Sequence, residues 1–167
     1  MTPTLELIYT YGYPALIVIG NVSNILAFFV LQRNKFRKSS VSFFLRAYAI
    51  ANLCQLDIIL TVEWFCNILK TTSVQNRTDL MCRLWSFITN VTSYSGIWFL
   101  VMMVLDRLIF ITSKTRAKSY CTTFAAKTIC IFVLVGLVVV SIHAMWTFDL
   151  QVDIHKCLVK HYSYAKV

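Results

Sequence analysis

Thr128–Phe148 reads TICIFVLVGLVVVSIHAMWTF, a stretch without a single formal charge. A helix of roughly 20 apolar residues crosses the hydrocarbon core of a bilayer, so this stretch reads as a transmembrane helix. Three more stretches are comparably long and apolar, and the spans are placed near 10–32, 41–69, 80–112 and 126–148. The composition of the 167-residue chain agrees: 58% of residues are hydrophobic and 14% charged, where a soluble domain has about 45–50% and about 25%. The mean hydropathy is +0.68. Four Gly and two Pro leave little material for turns, so the chain must be mostly long regular elements. These values exclude a disordered tail, a nucleic-acid-binding basic domain and most soluble enzymes. The expected fold class is all-α: a polytopic membrane helical bundle of four transmembrane helices, taken as one transmembrane domain over 1–167.

The net charge of +9 matters less than where it sits. Arg33, Lys35, Arg37 and Lys38 follow the first span, and Lys114, Arg116, Lys118 and Lys127 follow the third, with no acid in either gap. The other gaps mix signs: Glu6; Lys70, Arg77, Asp79 and Arg83; Asp149, Asp153, Lys156, Lys160 and Lys166. Basic residues stay on the cytoplasmic side of a membrane, so both basic gaps are expected there. The N-terminus, the 70–79 loop and the segment after the fourth span then lie outside. The first span has no basic residues before it and no small-residue cleavage site, and it reads as a retained signal-anchor. The partner implied by the charge is the lipid bilayer, not nucleic acid, and a multi-pass protein of the plasma membrane is expected.

Polar residues inside a span are costly unless they face protein or water. At 100° per residue, Asn52, Gln55, Glu63 and Cys66 of the second helix fall within about 80°. On the third helix Ser86, Thr89, Asn90, Ser93, Ile97, Leu100 and Arg107 fall within about 100°. Both helices are therefore expected to carry a polar inner stripe. Asp57 lies about 140° from Asn52 on this count and calls for a partner on another helix.

Gly20-Asn21 precedes a hydrophobic run in the first span. Tyr48-Ala49-Ile50-Ala51-Asn52-Leu53 lies in the second. The third opens at Cys82 and reaches Asp106-Arg107-Leu108, with Cys82 and Arg107 25 residues apart. That interval is roughly 37 Å of helix, enough to put one residue at each membrane face. This order resembles the first four helices of a rhodopsin-like (class A) G-protein-coupled receptor. The dipeptide is similar to the family's Gly-Asn signature, the second run to Leu-Ala-x-Ala-Asp-Leu, and the third to Asp-Arg-Tyr. Ile97 and Leu100 sit where the family has an Ile and a Leu, and Cys157 follows the fourth helix as the family's second disulfide cysteine does.

The resemblance implies structural roles for Asn21, Asn52, Ile97 and Leu100 and a disulfide between Cys82 and Cys157. It implies that Asp106 holds Arg107 at rest and that Arg107, with Leu108, meets a heterotrimeric G protein on activation. It also implies an extracellular ligand near Glu63, Trp85, Ser86, Thr89, Asn90 and Tyr94. Thr89 stands where amine receptors carry Asp, and Glu63 can pair with a base, so a peptide is favoured over an amine. Against these stand plainer readings: two thiols near an interface, a charged helix end, and an internal hydrogen-bond network. Asn76-Arg77-Thr78 is a glycosylation sequon in an outer loop. Asn52 and Gly96 replace the acid and Ser of the family's sodium site, so no metal is expected. Leu108 replaces Tyr, and the fourth helix lacks its usual Trp.

No catalytic constellation is present, no cofactor is implied, and His143, His155 and His161 lack metal-ligand spacing. An unrelated four-span protein such as a tetraspanin or claudin would bring extracellular cysteine motifs that the sequence lacks. The resemblance covers helices one to four of seven. The chain is expected to be either an incomplete receptor or a truncated, non-signalling four-helix protein that associates with full-length receptors. In either form the 167 residues alone are expected to be poorly stable or to dimerise, and not to couple to a G protein. A full agonist response from them would contradict this.

Overall fold

In hydrocarbon no water is available to backbone N–H and C=O groups, so an apolar chain must satisfy them within itself, as a helix does. The computed structural model of the protein describes residues 7–113, 121–151 and 156–159. Four helices in it are long and apolar enough to cross a membrane: α1 (Ile8–Gln32), α2 (Ser40–Ile68), α3 (Asp79–Thr112) and α4 (Thr123–Thr147). Glu6, Lys114, Arg116, Lys118, Asp153, His155, Lys160, His161 and Lys166 lie outside the described residues. The fold is the helical membrane bundle expected from the sequence, with one addition. Phe148–Gln151 (β1) and Lys156–Val159 (β2) form an antiparallel pair in which Leu150 faces Cys157.

Local chemistry sets the helix ends. Thr78 and Thr122 precede α3 and α4 in extended conformation, and each hydroxyl accepts from a backbone N–H three residues on, Met81 at 3.2 Å and Ala125 at 3.1 Å. Pro14, which has no N–H to donate, sits just past a π-helical stretch at Ile8–Gly12, where α1 passes into regular winding. In α2 the winding widens over Gln55–Leu60, and the Thr61 N–H bonds to Leu56 O, five residues back. The Thr61 hydroxyl donates to the same oxygen at 2.9 Å. Each residue in this π-helical stretch turns through less than 100°, so every α2 position beyond Gln55 is rotated from where a uniform helix would put it.

α3 is the shared neighbour, packing against α2, α4 and the hairpin. The core is small and lies between α2, α3 and α4: Phe44, Ala51, Phe99, Ala126 and Cys130. Ser95 and Gly96 let α3 approach α2 closely; a Cβ on Gly96 would stand 3.6 Å from Asn52 Oδ1 and 3.7 Å from the Tyr48 ring. α1 buries none of its residues and rests on α2 through Gly20, where a Cβ would come within 2.6 Å of Leu56 Cδ1. The end of Leu56 is mobile enough to yield to one methyl but not to a branched side chain. Gly20→Ala is therefore expected to leave thermal unfolding in micelles nearly unchanged. Gly20→Leu is expected to cost about 1–3 kcal/mol, the usual cost of overpacking. Equal midpoints for the two variants would show that α1 and α2 do not meet here.

Candidate functional site

Between the two ends of the bundle, polar side chains join the helices in pairs. Gln55 Oε1 on α2 accepts from Thr92 Oγ1 at 3.0 Å and from Ser93 Oγ at 3.2 Å, both on α3. Asn52 Nδ2 donates to Asn24 Oδ1 on α1 at 3.3 Å. One turn away, Asn21 Nδ2 donates to Asp57 Oδ1 at 2.7 Å, which supplies the partner on another helix that Asp57 called for. Asn21 and Asn52 each bond a different residue, and Asn24, not singled out in the sequence, is the partner of Asn52. The available signal was that Asn21 and Asn24 are three residues apart and so share a helix face.

At one end Cys82, fully buried, is disulfide-bonded to Cys157 with the Cα atoms 5.6 Å apart. The bond pins the hairpin against the start of α3. Two further bonds seat it: Asn76 Oδ1 accepts from Cys157 N at 2.8 Å, and Asp79 Oδ1 accepts from Leu150 N at 3.3 Å. Asp79 also pairs with Arg83 at 2.6 Å. Beneath the hairpin, Ser86 Oγ lies 3.9 Å from Cys157 Sγ. Trp85, Ser86, Thr89 and Asn90 on α3 and Glu63 on α2 are half-buried, whereas Tyr94 is exposed. Thr89 Oγ1 and Trp64 Nε1 are buried with no hydrogen-bond partner among the described residues. This end thus holds a carboxylate, an amide and two buried polar atoms without a partner among the described residues.

The expected polar stripe of α3 is not what the bundle buries. The α3 residues buried against α2 and α4 include Ser95, Gly96 and Phe99, whereas Ile97 is 58% exposed and Leu100 half-buried. The stripe is divided: Ser93 meets Gln55 on α2 and Ser86 lies under the hairpin, whereas Ile97 is turned outward.

At the opposite end of α3, Asp106 is buried and accepts a hydrogen bond from Ser40 Oγ at 2.9 Å. A guanidinium nitrogen of Arg107 lies 3.5 Å from the same carboxylate oxygen. Neighbours on a helix diverge, so the long Arg side chain swings back, and its guanidinium stacks over the Phe110 ring at 5.3 Å. The Arg107 side chain stays 41% exposed, and Leu108 beside it is exposed. Asp106 therefore has one short neutral partner and one long ionic one, and the second is the easier to give up. Ser40 and Cys121 were not read from the sequence as part of this group; nothing in the local pattern ties either to a residue so far along the chain. Cys121 Sγ donates to the Asp106 backbone oxygen at 3.4 Å. Burial pushes the Cys121 thiol above its ordinary range, the Asp106 charge adds to this, and Arg107 offsets part of it.

Residues 23–165 match the family described as 7 transmembrane receptor (rhodopsin family). The chain belongs to this family. It is similar to G-protein coupled receptor 183 of Homo sapiens, 25% identical over 132 residues, which cover 78% of this chain and 35% of that receptor. The chain thus spans about a third of the length of this relative. The family match opens at residue 23, past Gly20-Asn21, and takes in Asn24 and Asn52, the pair that the structure joins. Rhodopsin-family proteins are receptors rather than enzymes, and the four apolar helices with the Cys82–Cys157 disulfide fit that class.

The Cys121 environment makes a prediction with a definite sign. Its thiolate is disfavoured by burial and by the neighbouring anion, so maleimide modification at this residue, followed by peptide mapping, is expected to be slow at neutral pH and to rise well above it. Asp106→Asn removes the anion and lowers the thiol pKa, so labelling at a fixed pH speeds up. A rate that Asp106→Asn leaves unchanged would show that the two groups do not interact.

Proposed function

We propose that the chain supplies the first four membrane helices of a receptor that binds an extracellular ligand at the disulfide end and signals to a heterotrimeric G protein at the Asp106–Arg107 end. The observation that carries the proposal is the pair of groups at the two ends of α3: a disulfide with half-buried polar side chains near it, and a buried carboxylate holding a partly exposed arginine. The basic residues Arg33, Lys35, Arg37 and Lys38 lie at the Asp106 end, which supports reading that end as cytoplasmic and the N-terminus as outside the plasma membrane. Asn76, on the hairpin side, is then available to a glycan.

In this reading the ligand touches Glu63, Trp85, Ser86, Thr89, Asn90 and Tyr94. Thr89 offers a hydroxyl and no charge, which disfavours an amine; the Glu63 carboxylate suits a basic group on a peptide. Ligand binding shifts α3 against α2. The 3.5 Å ion pair opens more readily than the 2.9 Å hydrogen bond, so Arg107 leaves Asp106 for the G protein while Ser40 keeps the carboxylate in place.

The test uses the complete reading frame, tagged at the N-terminus, expressed in cells and challenged with a library of synthetic neuropeptides and a panel of biogenic amines. The tag should be reached by antibody on intact cells. A peptide rather than an amine should drive nucleotide exchange on the G protein, and Arg107→Ala should cut that exchange at least about tenfold, the loss of one charge-assisted contact. A tag reached only after permeabilisation, or exchange that Arg107→Ala leaves intact, would refute the proposal.

A further inference from the structure

An apolar groove of about 480 Å³ opens on the bundle surface between α2, α3 and α4. Its floor is made by small residues, Ala47, Ala51 and Ser95, and its far end by Cys54 and Leu134. The polar side chains in its wall are already engaged: Thr92 Oγ1 donates to Gln55, and Ser95 Oγ donates to Thr92 O at 2.9 Å. The groove therefore suits a hydrocarbon occupant and offers little to a polar one. Along α2 it runs from Phe43 to Cys54, roughly 16 Å at 1.5 Å per residue. A single leaflet of the hydrocarbon core is about 15 Å deep, so the groove matches one leaflet in length.

At its Phe43 end the groove meets a second, wider cavity. Phe43 and Lys127 line both. The wider cavity is ringed by Arg37, Lys38, Arg46 and Lys127, and no acid lines it. Among the described residues none of these four cations has a carboxylate within ion-pair distance. Arg46 is held in position: its Nε donates to Ser42 O at 3.2 Å and its guanidinium lies over the Phe43 ring at 5.5 Å. A fixed cation thus stands at the junction of the apolar groove and the basic cradle.

We propose that this composite site binds one anionic glycerophospholipid, with an acyl chain along the α2–α3–α4 groove and its phosphate-bearing headgroup among Arg37, Lys38, Arg46 and Lys127. Cations at a membrane surface attract anionic lipid, and the groove adds what a bare basic patch lacks, a seat for the chain. The inference requires only that this end of the bundle meets a membrane surface. The orientation proposed above would put it in the cytoplasmic leaflet, where anionic lipids are concentrated.

The full chain, reconstituted in nanodiscs of phosphatidylcholine and phosphatidylserine with identical acyl chains, is released and examined by native mass spectrometry for retained lipid. Such discs present both lipids on both faces, so the result does not depend on orientation. Phosphatidylserine should be retained over phosphatidylcholine. Arg46→Gln and Lys127→Gln should each lower its retention roughly fivefold, the usual effect of one cation at a membrane surface. Lys127→Arg should keep it. Arg33→Gln with Lys35→Gln removes two charges from the same end but outside the cradle and should leave retention intact. Cys54→Phe fills the inner end of the groove and should lower it, with circular dichroism and the unfolding midpoint checking that each variant is folded. Soluble glycerophosphoserine at millimolar concentration should fail to displace the lipid. Equal loss in the Arg33, Lys35 variant would reduce the site to diffuse surface charge. Displacement by glycerophosphoserine would make it a phosphate site alone, and indifference to Cys54→Phe would remove the acyl chain from the groove; each of these overturns the proposal.

Discussion

Asp106 places a carboxylate at the end of a membrane-crossing helix with only 8% of its surface exposed, and a charge so placed must be held by its neighbours. Ser40, the first residue of α2, does this by hydrogen bond, Arg107 by charge, and the Cys121 thiol binds the backbone at the same residue. Three segments of chain therefore converge on one residue. The start of α2, the last turns of α3 and the approach to α4 cannot move independently without leaving that carboxylate unmet.

The other end of α3 is fixed covalently. Cys82 carries the hairpin, and Asn76 and Asp79 bond its backbone, so α3 is tied at one end by a disulfide and at the other by a charge. Between these ties α3 runs close to α2, helped by Ser95 and Gly96 and joined by the Gln55 contacts. Apolar burial drives little of this in a bilayer, where lipid tails are as apolar as the helix surface. Close packing and interhelical hydrogen bonds must do more of it. That fits the core, which has only five buried residues, with the Gln55 hydrogen bonds joining two of its helices and the Asn52 bond joining α2 to α1. A helix held at both ends and packed along its length couples the hairpin end of the bundle to the Asp106 end.

Much of this was legible in the sequence. Uncharged runs such as Thr128–Phe148 announce spans by length and hydropathy alone. Cys82, Arg107 and Cys157 stood out through the resemblance to the receptor family, which also implied the disulfide that the structure holds. What was not legible has physical causes. A constant 100° set Asp57 apart and called for a partner on another helix, but could not say that it is Asn21 on α1, because the π-helical stretch in α2 changes the angle per residue there. The bond between Asn24 and Asn52 depends on how α1 is rotated. α1 buries nothing, so its hydrophobic pattern carries no phase. The hairpin is held by a disulfide and by side chains of the α2–α3 turn, contacts too distant in sequence for a four-residue strand to reveal. Ser40 and Asp106 lie 66 residues apart, and only the packing of α2 on α3 brings them together.

The account rests on the Ser40–Asp106 contact as the tie that orders the Arg107 end. A double-mutant cycle measures it directly: unfolding free energies in bicelles for the unsubstituted chain, Ser40→Ala, Asp106→Asn and the double variant. The account predicts a coupling of roughly 0.5–2 kcal/mol, the range for interhelical hydrogen bonds in membranes and for bonds to charged groups. Strict additivity of the two substitutions would contradict it, leaving Asp106 held by Arg107 alone and the start of α2 without a part in the site.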